Sequence, residues 1–472
     1  MNPEFLINSS PFTGDFFFLL KPLLDTPGTT LLDSCSGFGR LGSHSILGIA
    51  PFARLTEKDG GCTFEQQGAP SRQYADVFSA LDLLMKEFAL DLPNLPVPFA
   101  GGAMGYFSYD LGRLLEKLPS RAKKKDTFPG LVMNFYDTAL VYDHASRNLH
   151  LCVTDPLRKG SNDLSGKMDA LKQTVAALLS GHQSHPDFTP IKAVLNRPNF
   201  TKEEYCRAVE KVLDYIARGD IYQANLSQAF EFSFDTGPSC LYESLRRVSP
   251  APFSAFMNLG ERSVLSSSPE RFMKLTKGVI ETRPIKGTRP RGATPAEDSA
   301  LSRELAQSEK DRAELLMIVD LERNDLGRVA RFGSVAVTEM AALETYANVF
   351  HLVATIRAEL APGRNAVDLV KASFPGGSIT GAPKIRAMEI IEELEPDCRS
   401  LYTGSLGYIG FNGDMDLNIL IRTILTEGKK GRFQVGGGIV ADSVPLLEYE
   451  ETLHKAEGML SALGISKEVA HG

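Results

Sequence analysis

NILIRTIL (418–425), QVGGGIVADS (434–443) and LLEYEETLHKA (446–456) follow one another near the end of the 472-residue chain. The first two are apolar and β-branched and read as strands. The third carries acidic residues three apart on a helical period. Short strands alternating with helices, with many glycines between them, recur upstream. Arg422 interrupts its apolar run, and a buried guanidinium needs a carboxylate partner, supplied by the protein or by a ligand. The triplet Gly436, Gly437 and Gly438 reads either as close approach of backbone to a ligand or as a bulge.

Working towards the N-terminus, Thr201 and Glu204 form a capping box, and Tyr205, Val209, Val212 and Ile216 follow at helical spacing up to a stop at Gly219. The polar, proline-bearing segment 181–199 is the linker candidate. The region before it mixes both element types. Val77, Leu81, Leu84 and Phe88 predict a helix capped by Ser71. Residues 131–154 read as two strand runs around a polar turn at 143–148. Leu171, Val175 and Leu178 share a face of a helix ending near Ser180. GAMGYFSYDL from Gly102 is echoed by GSLGYIGFNGDMDL from Gly404, which reads as a duplicated two-half architecture or as chance.

Asp311 and Glu314 lie three apart in SEKDRAELLMIVDLERND (308–325), and Glu448 and Glu451 repeat that spacing with Lys455 on the same face. Each pair reads as a solvated helix surface or, if the two helices meet, as carboxylates sharing a divalent cation. PGGSITGAPKIRAMEII (375–391) runs from a glycine-rich turn into a helix with Pro383 in its first turn and Ile385, Met388 and Ile391 on one face. ETRPIKGTRPRG (281–292) reads as a solvated basic loop, a phosphate loop, or a strand and glycine turn presenting Lys286. A nucleophilic lysine there needs its pKa brought down by burial or by other cations.

With 43% hydrophobic and 23% charged residues, the composition predicts a globular chain with a core. The net charge of -7 argues against nucleic acid and acidic membranes as partners, so an anionic ligand needs a local positive site. No apolar run approaches the roughly 18–20 residues that span a bilayer. The six cysteines have no zinc or redox spacing and read as packing residues in a reducing compartment, so a cytoplasmic location is expected.

Taken in order, IYQANLSQ, SSSPERF, PIKGTRPRG, DLERNDLGRV, VFHLVATI, GSITGAPK, IRTI, VGGGIVADS and EETLHKA resemble the chorismate-utilising enzymes: the large subunits of anthranilate and aminodeoxychorismate synthases, and the isochorismate and salicylate synthases. The resemblance implies an α+β fold of four layers, α/β/β/α, with large antiparallel sheets in the core. It implies a catalytic region at 200–468 and an N-terminal region at 1–185. In the latter, LLDS (31–34) is similar to the segment lining an effector pocket. It further implies Mg2+ held directly by Glu314 and Glu451 and through waters by Asp311 and Glu448. Tyr402, Arg422 and the amides of Gly436 to Gly438 would hold the enolpyruvyl carboxylate of chorismate. Gly287, Thr288, His351 and Thr380 would line the ring, and Glu270 would be the general acid for the C4 hydroxyl.

Two positions divide the branches. Gln223 stands where the isochorismate and salicylate synthases carry a water-activating lysine, which disfavours water addition. Lys286 stands where anthranilate synthases have alanine, and the resemblance there implies attack of its amine at C2 followed by ammonia at C4. The expected product is 4-amino-4-deoxychorismate, with anthranilate or a non-catalytic chorismate-binding subunit as alternatives. No glutaminase nucleophile motif is present, so ammonia is expected from a separate glutamine amidotransferase subunit. No room is expected for a fused lyase.

Overall fold

A computed structural model describes residues 4–35, 38–39, 41–181, 191–345 and 349–466. Residues 182–190 of the linker candidate (181–199) lie outside these residues, and Ala193–Leu195 within it forms a strand.

Two antiparallel sheets of 12 strands each form the centre. In the first, the strands run in the order Phe5–Pro11, Asn148–Thr154, Thr138–Asp143, His44–Gly48, Thr30–Asp33, Phe253–Asn258, Arg262–Ser268, Thr423–Glu427, Lys430–Ile439, Gln223–Phe234 and Ala193–Leu195. The second runs Ile285–Pro290, Val349–Glu359, Val279–Thr282, Arg271–Thr276, Met415–Asn418, Ser405–Gly410, Gly102–Phe107, Leu131–Tyr136, Ala53–Lys58, Gly61–Gln66 and Arg72–Tyr74. Gly381–Ala382 adds to the first beside Gln223–Phe234, and Ala336–Thr345 adds to the second beside Val349–Glu359.

Period-2 alternation explains the layering. Ala255 and Met257 point between the sheets into a cluster with Tyr106, Val132 and Leu406, whereas Phe256 points the other way, onto helices. One outer cluster joins the first sheet to helices that include Lys202–Ala217 and Pro445–Ala462. The other joins the second sheet to helices that include Val77–Glu87 and Glu309–Gly327. The order is helix, sheet, sheet, helix, as the resemblance implied.

The sequence echo has a structural counterpart. Gly102–Phe107 and Ser405–Gly410 pair residue for residue across the middle of the second sheet, Gly102 opposite Gly410 and Phe107 opposite Ser405. Each is followed by a strand of the same sheet and then by two strands of the other. Each sheet therefore takes five of its 12 strands from the N-terminal part of the chain and the rest from the C-terminal part.

Several local expectations are corrected. Residues 131–154 form three strands, because the chain leaves the second sheet after Tyr136 and enters the first at Thr138. NILIRTIL likewise divides: Met415–Asn418 lies in the second sheet and Thr423–Glu427 in the first. Arg422 sits in that crossover with φ +49°. The Val77–Glu87 helix is capped by Asp76, whose side chain accepts from the Ser79 amide, and not by Ser71. Pro383 is the N-cap of the Lys384–Leu394 helix and not a residue of its first turn. Ile385 is exposed, and Ala387, Met388, Ile390 and Ile391 make that helix's buried face. The Thr201–Glu204 capping box forms as expected. All six cysteines are free thiols. Among the described residues, no helix is long and apolar enough to cross a membrane.

Candidate active site

The edge strand Ile285–Pro290 carries Lys286 against Leu352 of its neighbour, and the register slips at Gly287 before Thr288 meets His351. Lys286 therefore precedes a bulge, where the sequence suggested a turn. Glycine is required there twice over. Its φ is +75°, and a Cβ would stand 2.9 Å from the Asp311 carboxyl and 2.8 Å from Leu305 Cδ1. The bulge thus seats the lysine strand against the Glu309–Gly327 helix.

Lys286 is half-buried. Burial depresses its pKa and Lys455 adds to this, while Glu314, Glu270 and Glu451 oppose it. Gly438 shows what surrounds the amine: a Cβ there would meet Gln223 Nε2 at 2.7 Å and Lys286 Nζ at 3.4 Å. Gln223 is fully buried, and neither of its amide atoms has a hydrogen-bond partner among the described residues. A free polar pair beside the lysine leaves room for a ligand's hydrogen bonds.

Glu270 lies just before the Arg271–Thr276 strand and is 7% exposed. Burial pushes its carboxyl up to about 7, opposed by a 2.8 Å hydrogen bond from Ser378 Oγ, by Lys286, by the Ile285 amide and by Arg422. A carboxyl titrating there can serve as an acid near neutral pH. His351 is pushed down to about 4 by burial and by Arg422, so the ring is neutral. It shares a 2.9 Å hydrogen bond with Thr288 Oγ1. Thr380 is fully buried and its hydroxyl donates to the Gly376 carbonyl. Tyr402 is buried beside Arg399, whose guanidinium carbon is 5.7 Å from the ring centre.

Arg422 has no ion-pair partner among the described residues. Burial lowers its pKa, and Glu270 is the acid whose field opposes this. The carboxylate partner demanded by its position in the sequence is not supplied by any of the described residues.

The acidic pairs fall on the helices Glu309–Gly327 and Pro445–Ala462. The helices converge: burial raises the Glu314 pKa first, and Asp311 and Glu451 add to it. Glu448 is raised by burial and by Glu451. Around these acids Lys455 Nζ lies 2.7 Å from Glu451, Arg289 3.2 Å from Asp311, and Ser443 Oγ donates to Glu448 at 2.6 Å. Lys455 also donates to the Gly436 carbonyl at 3.0 Å. A Cβ on Gly437 would lie 3.3 Å from Glu448 and 3.8 Å from Glu451, so the glycine strand passes directly over the acids. Among the described residues, no group of three or more His, Cys, Asp and Glu side chains converges closely enough to hold a metal ion.

Sequence reasoning passed over Ser378, Glu322 and Lys384. Ser378 gave no signal beyond its glycine-rich setting. Glu322 did: it continues the apolar stripe of Leu315, Ile318, Val319 and Leu326, where a charge is out of place. LLDS lies on Thr30–Asp33 beside a separate cavity of about 340 Å³, and Asp33 is ion-paired to Arg246 at 2.5 Å.

Residues 31–461 match the model of a family described as chorismate binding enzyme. The chain is 41% identical to aminodeoxychorismate synthase component 1 of Bacillus subtilis (strain 168), over 93% of this chain and 92% of the relative. It is 38% identical to anthranilate synthase component 1 of Aquifex aeolicus (strain VF5), over 93% and 90% respectively. The crystal structure of anthranilate synthase component I from Streptococcus pneumoniae TIGR4 superposes with a TM-score of 0.79 at 31% identity, covering 88% of this chain and 92% of that one.

Proposed function

The chain belongs to the family of chorismate binding enzymes, and on that premise we propose that it is component 1 of an aminodeoxychorismate synthase, turning chorismate and ammonia into 4-amino-4-deoxychorismate. The observation that carries this reading is Lys286, an amine with a depressed pKa placed among Glu270, Gln223 and the glycine strand.

Arg422, without a carboxylate of its own, would bind the enolpyruvyl carboxylate together with Tyr402 and the Gly436–438 backbone. Gly287, Thr288, His351 and Thr380 would wall the ring. Glu270 would donate its proton to the C4 hydroxyl, which departs as water while the neutral Lys286 amine bonds to C2. Ammonia bonding to C4 then returns the electron pair through the ring and expels the lysine. Splitting one displacement into two lowers each barrier.

Glu314 and Glu451 offer hard oxygen donors of the kind Mg2+ takes one or two of, and their fields reach one another across two helices. Mg2+ would be held by Glu314 and Glu451, with Asp311 and Glu448 through waters. It would supply positive charge for the ring carboxylate. A partner component, a glutamine amidotransferase, would deliver the ammonia. Free cysteines fit a cytoplasmic setting.

Purified protein given chorismate, magnesium and ammonium is expected to make aminodeoxychorismate, and Lys286→Ala to lose about 10²–10⁴ in kcat. Mass spectrometry of protein quenched during turnover should find a substrate adduct on Lys286. Anthranilate and pyruvate appearing at an undiminished rate from the alanine variant would overturn the product assignment.

A further inference from the structure

Arg399 is a cation with no place in the scheme above. It lies in the loop between the Lys384–Leu394 helix and the Ser405–Gly410 strand and is 2% exposed. A guanidinium has five N–H donors in a planar fork. Here each has a protein acceptor. Nε and one Nη2 proton bind the two oxygens of Glu395 at 3.0 and 2.8 Å. The other Nη2 proton goes to the Asn225 carbonyl at 2.5 Å. Nη1 reaches the Ile379 carbonyl at 2.9 Å and Thr403 Oγ1 at 3.3 Å. No donor is left for a ligand, so Arg399 acts on the site only through other residues.

Each of the three neutral acceptors adjoins a residue of the candidate site. Asn225 is two residues along its strand from Gln223, and so on the same face. Ile379 precedes Thr380, and Thr403 follows Tyr402. The links close on one another. The Asn225 amide donates to the Thr380 carbonyl at 2.8 Å, and Thr403 Oγ1 donates its own proton to the Tyr402 carbonyl at 2.5 Å. Ser400 and Thr403, on either side of Leu401 and Tyr402, have φ of +53° and +62°. Non-glycine residues stay in that region only where their surroundings over-determine them. Burying an ion pair costs more than filling the same space with an apolar side chain, so packing alone does not account for an arginine here.

We propose that Arg399 is the positioning residue that fixes Gln223, Thr380 and Tyr402 relative to one another, and so sets where the enolpyruvyl end of chorismate lies. The proposal rests on the chorismate site proposed above. Glu395 orients the fork from behind, and it also accepts from the Ser227 amide and hydroxyl at 2.8 Å each. Lysine would keep the charge beside Glu395, but its three donors sit on one atom and cannot span three segments.

The test is Arg399→Lys, assayed with chorismate, magnesium and ammonium well below the variant's melting transition. Chorismate KM should rise and kcat fall, with kcat/KM lower by about 100-fold. A role in folding alone only removes active protein, so kcat per total protein drops while KM stays the same. An unchanged KM therefore overturns the proposal. Where the lysine variant does not fold, Thr403→Val decides. It removes only the tether to the Tyr402 segment and should raise KM about fivefold; an unchanged KM again overturns the proposal. If the unsubstituted chain forms no aminodeoxychorismate, the function fails. Calorimetry with chorismate then still decides on Arg399: weaker binding by the variant supports it, and equal binding overturns it.

Discussion

Replacing Glu270 by glutamine separates what its burial costs the fold from what its proton does for the reaction. The carboxyl is raised from an ordinary 4.5 to about 7, chiefly by burial. At pH 7 about half of it is then protonated, against about 0.3% at its ordinary value. The same shift has a sign in stability. An acid whose folded pKa is raised leaves the fold unpenalised below the unfolded pKa, and the folded state loses stability as pH climbs through the interval from 4.5 to 7. At about 1.4 kcal/mol per unit, the penalty is about 1 kcal/mol at pH 5 and about 3 kcal/mol at pH 8. Glu270→Gln keeps the shape and the contact with Ser378 while removing the charge. Urea unfolding should therefore show the variant gaining about 2 kcal/mol more at pH 8 than at pH 5. In parallel, kcat should fall by about 10²–10⁴, and the basic limb near pH 7 in the unsubstituted profile should disappear. Equal stability differences at the two pH values, or kcat retained in the variant, would refute the assignment of Glu270 as a buried neutral acid.

Two further outcomes follow from the bulge and from the unpaired guanidinium. Gly287→Ala must place a methyl 2.9 Å from the Asp311 carboxyl at φ +75°. It should cost about 1–3 kcal/mol in thermal or urea unfolding and lower kcat by displacing Lys286. Arg422→Met removes a cation that no carboxylate among the described residues pairs with, so isothermal titration should show chorismate binding weakened about 10- to 100-fold, with the fold's stability unchanged or increased.

The Thr201–Glu204 capping box and the paired carboxylates were legible because helix ends and i,i+3 faces are local. The two crossovers at Asp137 and Arg422 were not. A chain passing from one sheet to the other keeps its apolar alternation, so the switch leaves no mark on the period. The Lys286 bulge was misjudged for a related reason. Gly287 signals an unusual φ, but whether that bends the chain or kinks a strand depends on the neighbour at Val349–Glu359. Ser378, Lys286 and Arg422, which act on Glu270, lie on separate segments, so its pKa comes from packing among residues distant in the chain. A motif can name such residues one at a time, but the field they share arises only once the sheets close.

The pairing of Gly102–Phe107 with Ser405–Gly410, and of Thr30–Asp33 with Phe253–Asn258, has a consequence for synthesis on the ribosome. When the N-terminal part emerges, each of its half-sheets ends in a bare, apolar edge strand. The partner strands lie some 220 to 300 residues further along. At about 5–20 residues per second these edges wait tens of seconds for their neighbours. An unpaired edge of that kind is a template for self-association. The nascent chain should therefore depend on chaperone cover until Ser405–Gly410 has cleared the exit tunnel.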